Sequence, residues 1–222
     1  MADERSEGVI ATWWTATAIP FELCWHGILV TAEYSWHPGK FLKEEFDPKF
    51  SNQFYGMKDA KIVEAMYLLE GKEIPYAQSY FSEGTIEEKI EKFEGLKERG
   101  GILRELKNRK EKSFQALELF NGCRGKITRN ELRLRHLLLA AKTIIHKINQ
   151  VLIFHELRSE HKKSLKTKKQ LENLKQELLS AKEETKDVFR ISMQSLAVAE
   201  EILMHYGEEE RKINEYLQTY ES

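Results

Sequence analysis

The residues of this chain that could do chemistry are seven histidines, two cysteines and a tryptophan cluster near the start. A carboxylate-bridged metal centre in a helical protein needs Glu-x-x-His pairs on facing helices, and a zinc hydrolase needs His-Glu-x-x-His. Neither spacing occurs among His26, His37, His136, His146, His155, His161 and His205. Glu201 and His205 could share one helical face, but a single pair makes a poor site, so no metal is expected and the histidines read as solvated or singly hydrogen-bonded. Cys24 and Cys123 are far apart in unlike contexts, which excludes a metal knuckle or a redox Cys-x-x-Cys; Cys24 sits in an apolar stretch where burial makes a thiol inert. A Gly-x-Ser-x-Gly elbow, a Walker loop and Gly-x-Gly-x-x-Gly are all missing, so no nucleophile and no nucleotide cofactor is implied. Lys162, Lys163, Lys166, Lys168 and Lys169 form a basic run bordered by Glu160, Glu172 and Glu177 without aromatics, the pattern of a solvated helix face. Trp13 and Trp14, with Trp25 and Trp36 behind them, remain. Flat indoles can stack on sugar rings or fill a core, and composition alone favours the core.

The elements that must position these residues fall into two zones. All four tryptophans and all four prolines precede residue 82, and the rest of the 222 residues is prolineless and rich in Lys, Glu and Leu. Gly8 to Trp14 is short, β-branched and aromatic, as in a buried strand. One strand cannot satisfy its own edges, and no second convincing strand follows. Pro20 opens an apolar helix through about Trp36, stopped by His37-Pro38-Gly39. Further helices are expected over Glu44 to Phe54 and Asp59 to Leu69, the latter with Ile62, Ala65, Met66 and Leu69 on one face. Thr85 with Glu88 reads as a capping box for a helix ending near Gly100-Gly101, and another helix runs from Ile102 to Phe120, closed by Asn121-Gly122. Thr128 with Glu131 reads as a second capping box, opening a long helix that carries Leu134, Leu138, Ala141, Ile145, Ile148, Leu152 and Leu157. A last segment sets Leu171, Leu174, Leu178, Ala181, Val188, Ile191, Leu196, Ala199, Ile202 and Leu203 at helical steps and breaks at Gly207. The fold class is therefore mainly α, the long helices packing as a bundle or an antiparallel hairpin.

Charge and targeting signals narrow the partners. Lys and Arg number 35 against 36 Asp and Glu, a net charge of −1, so no nucleic acid and no membrane surface is expected as a partner. The charged N-terminus lacks the apolar region of a signal peptide, and no uninterrupted apolar run of spanning length occurs, which points to a cytoplasmic protein with reduced thiols.

Taken in order, Gly8-Val9-Ile10-Ala11-Thr12-Trp13-Trp14, Pro20-Phe21-Glu22-Leu23-Cys24-Trp25-His26-Gly27, Thr31-Ala32-Glu33-Tyr34-Ser35-Trp36, Phe46-Asp47-Pro48-Lys49-Phe50 and Phe54-Tyr55-Gly56 resemble the end of the catalytic domain of glycoside hydrolase family 20. That family comprises β-N-acetylhexosaminidases built on a (β/α)8 barrel, whose active site lies at the C-terminal ends of the strands. The resemblance implies that residues 1–56 are a barrel-end remnant, the last strand and helix of such a barrel. Residues 57–82 would then be a connecting helix and loop, and residues 83–222 a helical domain. It implies that Trp13, with Trp14 beside it, walls an N-acetylglucosamine pocket, and that the partner is an N-acetylhexosamine-containing glycan met through the parent enzyme. The acid that many members carry two residues after that tryptophan is Thr15 here. Family chemistry needs an adjacent Asp and Glu at the end of a middle strand, the Asp orienting the substrate's 2-acetamido group and the Glu protonating the leaving oxygen. Of the four aspartates, Asp3, Asp47, Asp59 and Asp187, only Asp3 precedes a Glu, and no strand leads to it. No catalytic residue is therefore assigned, and the chain is expected to be a C-terminal portion that is inactive alone. The alternative is a non-enzymatic helical interaction protein that self-associates as a homo-oligomer through the near-heptad Leu171, Leu174, Leu178 and Ala181, with the tryptophans as core.

Overall fold

The computed structural model describes residues 25–37, 40–69, 102–160, 164–191 and 196–220. The expected strand at Gly8 to Trp14, the start of the helix at Pro20 and the helix opened by Thr85 lie outside the described residues. Those that are described are mainly helical, with no strand among them: α1 (Trp25–Trp36), α2 (Lys43–Phe50), α3 (Lys61–Leu69), α4 (Ile102–Cys123), α5 (Glu131–Glu160), α6 (Leu165–Ile191) and α7 (Leu196–Gln218).

Local chemistry explains the first three. α1 ends at Trp36, immediately before His37-Pro38-Gly39, as the residue preceding proline resists the helical conformation. α2 carries Glu44 and Glu45 in its first turn and Lys49 in its last, each sign matched to the helix dipole. Pro48 interrupts its hydrogen-bond ladder, and the chain continues as a wider π turn over Ser51–Tyr55 before Gly56 closes it at φ 71°. In α3, Asp59 Oδ1 accepts the Lys61 backbone N–H at 3.2 Å, and Ile62, Val63 and Ala65 are buried.

Three expectations for the long helices are corrected. Asn121-Gly122 does not close α4, which runs to Cys123; the left-handed turn residue is Gly125, at φ 72°. Thr128 is not the cap of α5. The Thr128 and Arg129 backbone N–H groups donate instead to the Tyr55 carbonyl at 3.0 and 3.2 Å, and the Asn130 and Arg129 side chains donate to the Phe54 and Gln53 carbonyls. The 128–130 loop is thus spent capping the end of the π turn, and α5 starts after Asn130, whose φ is 55°. The last apolar segment is not one helix but two, α6 and α7, and Gly207 does not break α7 because it sits on an exposed face while Tyr206, Glu209 and Ile213 around it are buried.

Side-chain pairs show the direction of packing. Between α5 and α6, Lys142 meets Glu184, Asn149 meets Glu177 and Glu156 meets Gln170, so these helices run antiparallel. Lys182 with Glu210, and Thr167 with Tyr220, make α6 and α7 antiparallel. Residues Ser164 and Thr167 bond each other's backbone N–H at 3.1 Å, a reciprocal cap that starts α6. α5, about 45 Å long at 1.5 Å per residue, is the spine. Its first half packs with α3 and α4 in one core that includes Phe50, Tyr55, Ile62, Phe120, Leu134 and Leu138. The second half joins α6 and α7 around Phe154, Leu171, Leu174, Leu178 and Ile213.

Two consequences follow for the sequence reading. The first core takes residues from both sides of the boundary expected at residue 56. The stripe of Leu171, Leu174, Leu178 and Ala181, read as a self-association seam, is buried inside the chain's own bundle. α5 is also long and apolar enough to cross a membrane over Glu131–Leu157, and most of that length is buried between the other helices. The lysines that interrupt it, Lys142 and Lys147, are each paired with a carboxylate, Glu184 of α6 and Glu209 of α7.

Candidate functional site

Trp25 and His26 of α1, Phe46 to Phe50 of α2, Phe54 of the π turn and Tyr67 of α3 meet at one corner of the structure. His26 of α1 is buried in an aromatic box, its ring centroid 5.8, 4.9 and 5.4 Å from those of Phe46, Phe50 and Tyr67, all edge-on. The Phe46, Phe50 and Phe54 rings follow one another at four-residue spacing down one side of α2 and the π turn, 6.1 and 5.1 Å apart and nearly parallel. Edge-to-face and offset contacts of this kind add about 0.5–1.5 kcal/mol per pair beyond area burial. Trp25 packs on Phe54 at 6.2 Å, and the Arg133 guanidinium of α5 lies 5.8 Å from both rings.

Asp47 ties this corner together. Its Oδ1 lies 3.3 Å from His26 Nε2 and accepts the Tyr67 hydroxyl at 3.1 Å, while Oδ2 is 3.4 Å from Lys43 Nζ, which also stands 3.7 Å over the Tyr67 ring. With two contacts on Oδ1 and one on Oδ2, most of the carboxylate's acceptor capacity is spent fastening α1, α2 and α3 together. Alanine at position 47 would leave the Tyr67 hydroxyl and the His26 ring without their acceptor, so Asp47→Ala should destabilise the chain by about 1–3 kcal/mol, read from urea unfolding, while Asp59→Ala at the exposed start of α3 should cost less.

Beside Asp47 opens a cleft of about 430 Å³ edged by Lys43, Lys61, Lys112, Glu64 and Tyr67. Its mixed charges suit a polar ligand, and Asp47 lines it beside Glu64 with part of its carboxylate engaged by His26, Tyr67 and Lys43.

Trp13 and Trp14, the residues expected to wall a sugar pocket, lie outside the described residues, as does Cys24. Glu33 and Trp36 of the Ala-Glu-x-x-Trp pattern are exposed, Glu33 3.7 Å from His37 and Trp36 81% accessible. Cys123 is buried against the first core; burial pushes its thiol up, with the Asp59 charge adding, which leaves it unreactive. No group of three His, Cys, Asp or Glu side chains able to hold a metal occurs among the described residues, and the Glu201 and His205 side chains are not among them.

Sequence reasoning missed two constellations. The aromatic box was signalled by Phe46, Phe50 and Phe54 at four-residue steps, but nothing local tied them to His26 or Tyr67. A polar seam between α5, α6 and α7 was the other: His146 Nε2 lies 3.2 Å from Glu209 Oε2 and His146 Nδ1 3.5 Å from Glu177 Oε2, while Lys147 pairs with the second oxygen of Glu209. No protein-family model, no curated protein and no solved structure matches the chain.

Proposed function

We propose that the chain is the C-terminal portion of a β-N-acetylhexosaminidase-like glycoside hydrolase. In this reading Trp13 and Trp14 supply a wall of the sugar pocket, and the helices act as a rigid support, inactive without the rest of the barrel. The observation that supports the reading is that parts of three of the five stretches behind the resemblance converge in space. Trp25-His26-Gly27, Phe46-Asp47-Pro48-Lys49-Phe50 and Phe54-Tyr55-Gly56 interlock through the His26–Asp47 contact, the phenylalanine stack and the left-handed Gly56. Residues this tightly tied to one another suit a corner that docks a barrel's last helix on its support.

Titrating the tryptophan emission of the purified chain with N-acetylglucosamine oligomers tests this, with glucose oligomers as control. Saturable quenching by the acetamido sugars alone, lost in Trp13→Ala, and no release of chromophore from a chromogenic N-acetylglucosaminide are expected. Quenching that persists in Trp13→Ala, or robust turnover that Trp13→Ala abolishes, would overturn the proposal in its sugar-site and its inactive-alone clauses respectively.

A second reading, a non-enzymatic helical interaction protein, draws on the exposed Tyr34, Trp36 and Leu42 at the α1–α2 corner, since the leucine stripe of α6 is already covered. Sedimentation discriminates: a concentration-independent monomer counts against self-association.

A further inference from the structure

The seam between α5, α6 and α7 holds ionisable groups that a support role does not use. His146 of α5 is 3% exposed and stands between Glu209 of α7 and Glu177 of α6. We propose that His146 is the trigger of an acid-sensitive latch, in which proton uptake by its buried ring loosens α7 from α5 and α6.

A neutral imidazole carries one N–H and can donate to only one of the two carboxylates. A second proton would satisfy both, but neither carboxylate is free to receive a new cation at full strength. Glu209 is itself buried and already paired with Lys147, the residue adjacent to His146. Glu177 is half-exposed, accepts two contacts from Asn149 at 3.4 and 3.2 Å, and feels Lys110 of α4. An imidazolium would therefore place a second buried positive charge beside Lys147 with one buried carboxylate between them. The remaining groups on the seam do not compensate: Lys142 is paired with Glu184, and the Tyr206 hydroxyl, 3.4 Å from Thr143 Oγ1, is kept protonated by burial.

Burial acts on the ring in the same direction as this geometry. Burial holds His146 below the ordinary imidazole value, Lys147 adding and Glu177 opposing. A ring that resists a proton when folded and accepts one when unfolded contributes stability that is complete above the ordinary value of 6.5. That stability is lost as pH falls through 6.5 toward the folded ring's own value. The Glu177 carboxyl is held low chiefly by His146, so its own contribution is lost only in stronger acid, below the ordinary carboxylate range. The latch therefore begins to yield in mild acid because of His146.

The test is an NMR titration of the His146 ring in the full chain, with the resonance assigned through His146→Gln, combined with hydrogen exchange of α7 amides at about pH 7.5 and about pH 5.5. The ring is expected to titrate below 6.5. After correction for intrinsic exchange rates, α7 should lose protection relative to α4 by up to about tenfold per pH unit, and His146→Gln should abolish that loss. Glu177→Gln, which removes the carboxylate favouring the charged ring, should move the midpoint further down. A wild-type ring that titrates at or above 6.5, or α7 protection that is unchanged between the two conditions, overturns the proposal whether or not either variant folds.

Discussion

Lys147→Met should destabilise the chain by about 3–5 kcal/mol, the cost of leaving a buried carboxylate without its cation. Lys147 and Glu209 are 5% and 3% exposed, so water cannot take over for either. Glu209 would keep only the His146 contact at 3.2 Å. Pairing the substitution with Glu209→Gln removes the stranded charge and keeps an acceptor for His146, and the double variant should recover most of the loss, because a buried ion pair as a whole contributes little net stability. Lys142 supplies the contrast. Its ion pair with Glu184 is partly exposed, and Lys142→Met should cost no more than about 1 kcal/mol. Urea unfolding of the four chains decides: similar losses for Lys147→Met and Lys142→Met would contradict the buried seam.

Gly56→Ala carries the second large effect. Gly56 has φ 71° and turns the chain where the Tyr55 carbonyl accepts the Thr128 and Arg129 N–H groups, and a Cβ there would overlap the Thr128 hydroxyl. The left-handed backbone costs an alanine about 1–2 kcal/mol, and forcing the 128–130 loop aside adds about 1–3 kcal/mol. Gly125 has φ 72° and open space around its Cβ direction, so Gly125→Ala should show the backbone cost alone. The difference between the two measures how firmly the α1–α3 corner is fastened to α5. Equal melting temperatures for the two variants would show that the fastening is weak.

How far the sequence foretold this arrangement depends on whether the decisive contact was local. α1 and α3 were legible because Pro38-Gly39 and Asp59 act on their own segments, whereas the helix expected over Glu44 to Phe54 gives way to a π turn at Ser51, three residues after Pro48. The Thr128 capping box was not, since the Thr128 and Arg129 N–H groups were claimed by a carbonyl more than seventy residues earlier in the chain, that of Tyr55. Gly207 misled for a related reason: burial of Tyr206 and Ile213 outweighs a glycine's cost of about 1 kcal/mol in a helix. The reversal between α6 and α7 was hidden because apolar spacing continues from Val188 and Ile191 into Leu196. The tryptophan cluster was plain from composition, but Trp13 and Trp14 lie outside the described residues, and the His26, Asp47 and Tyr67 fastener joins three elements and leaves no local trace. His146 and Lys147 did leave one, as two ionisable residues set side by side in a helix long and apolar enough to cross a membrane.

Reading the DNA immediately upstream of the Met1 codon tests the central claim most directly. The proposed hexosaminidase-like parent requires, in frame, seven further strand and helix units with an adjacent Asp and Glu at the end of a middle strand. Upstream sequence that encodes no such units would contradict it and leave the helical interaction reading in its place.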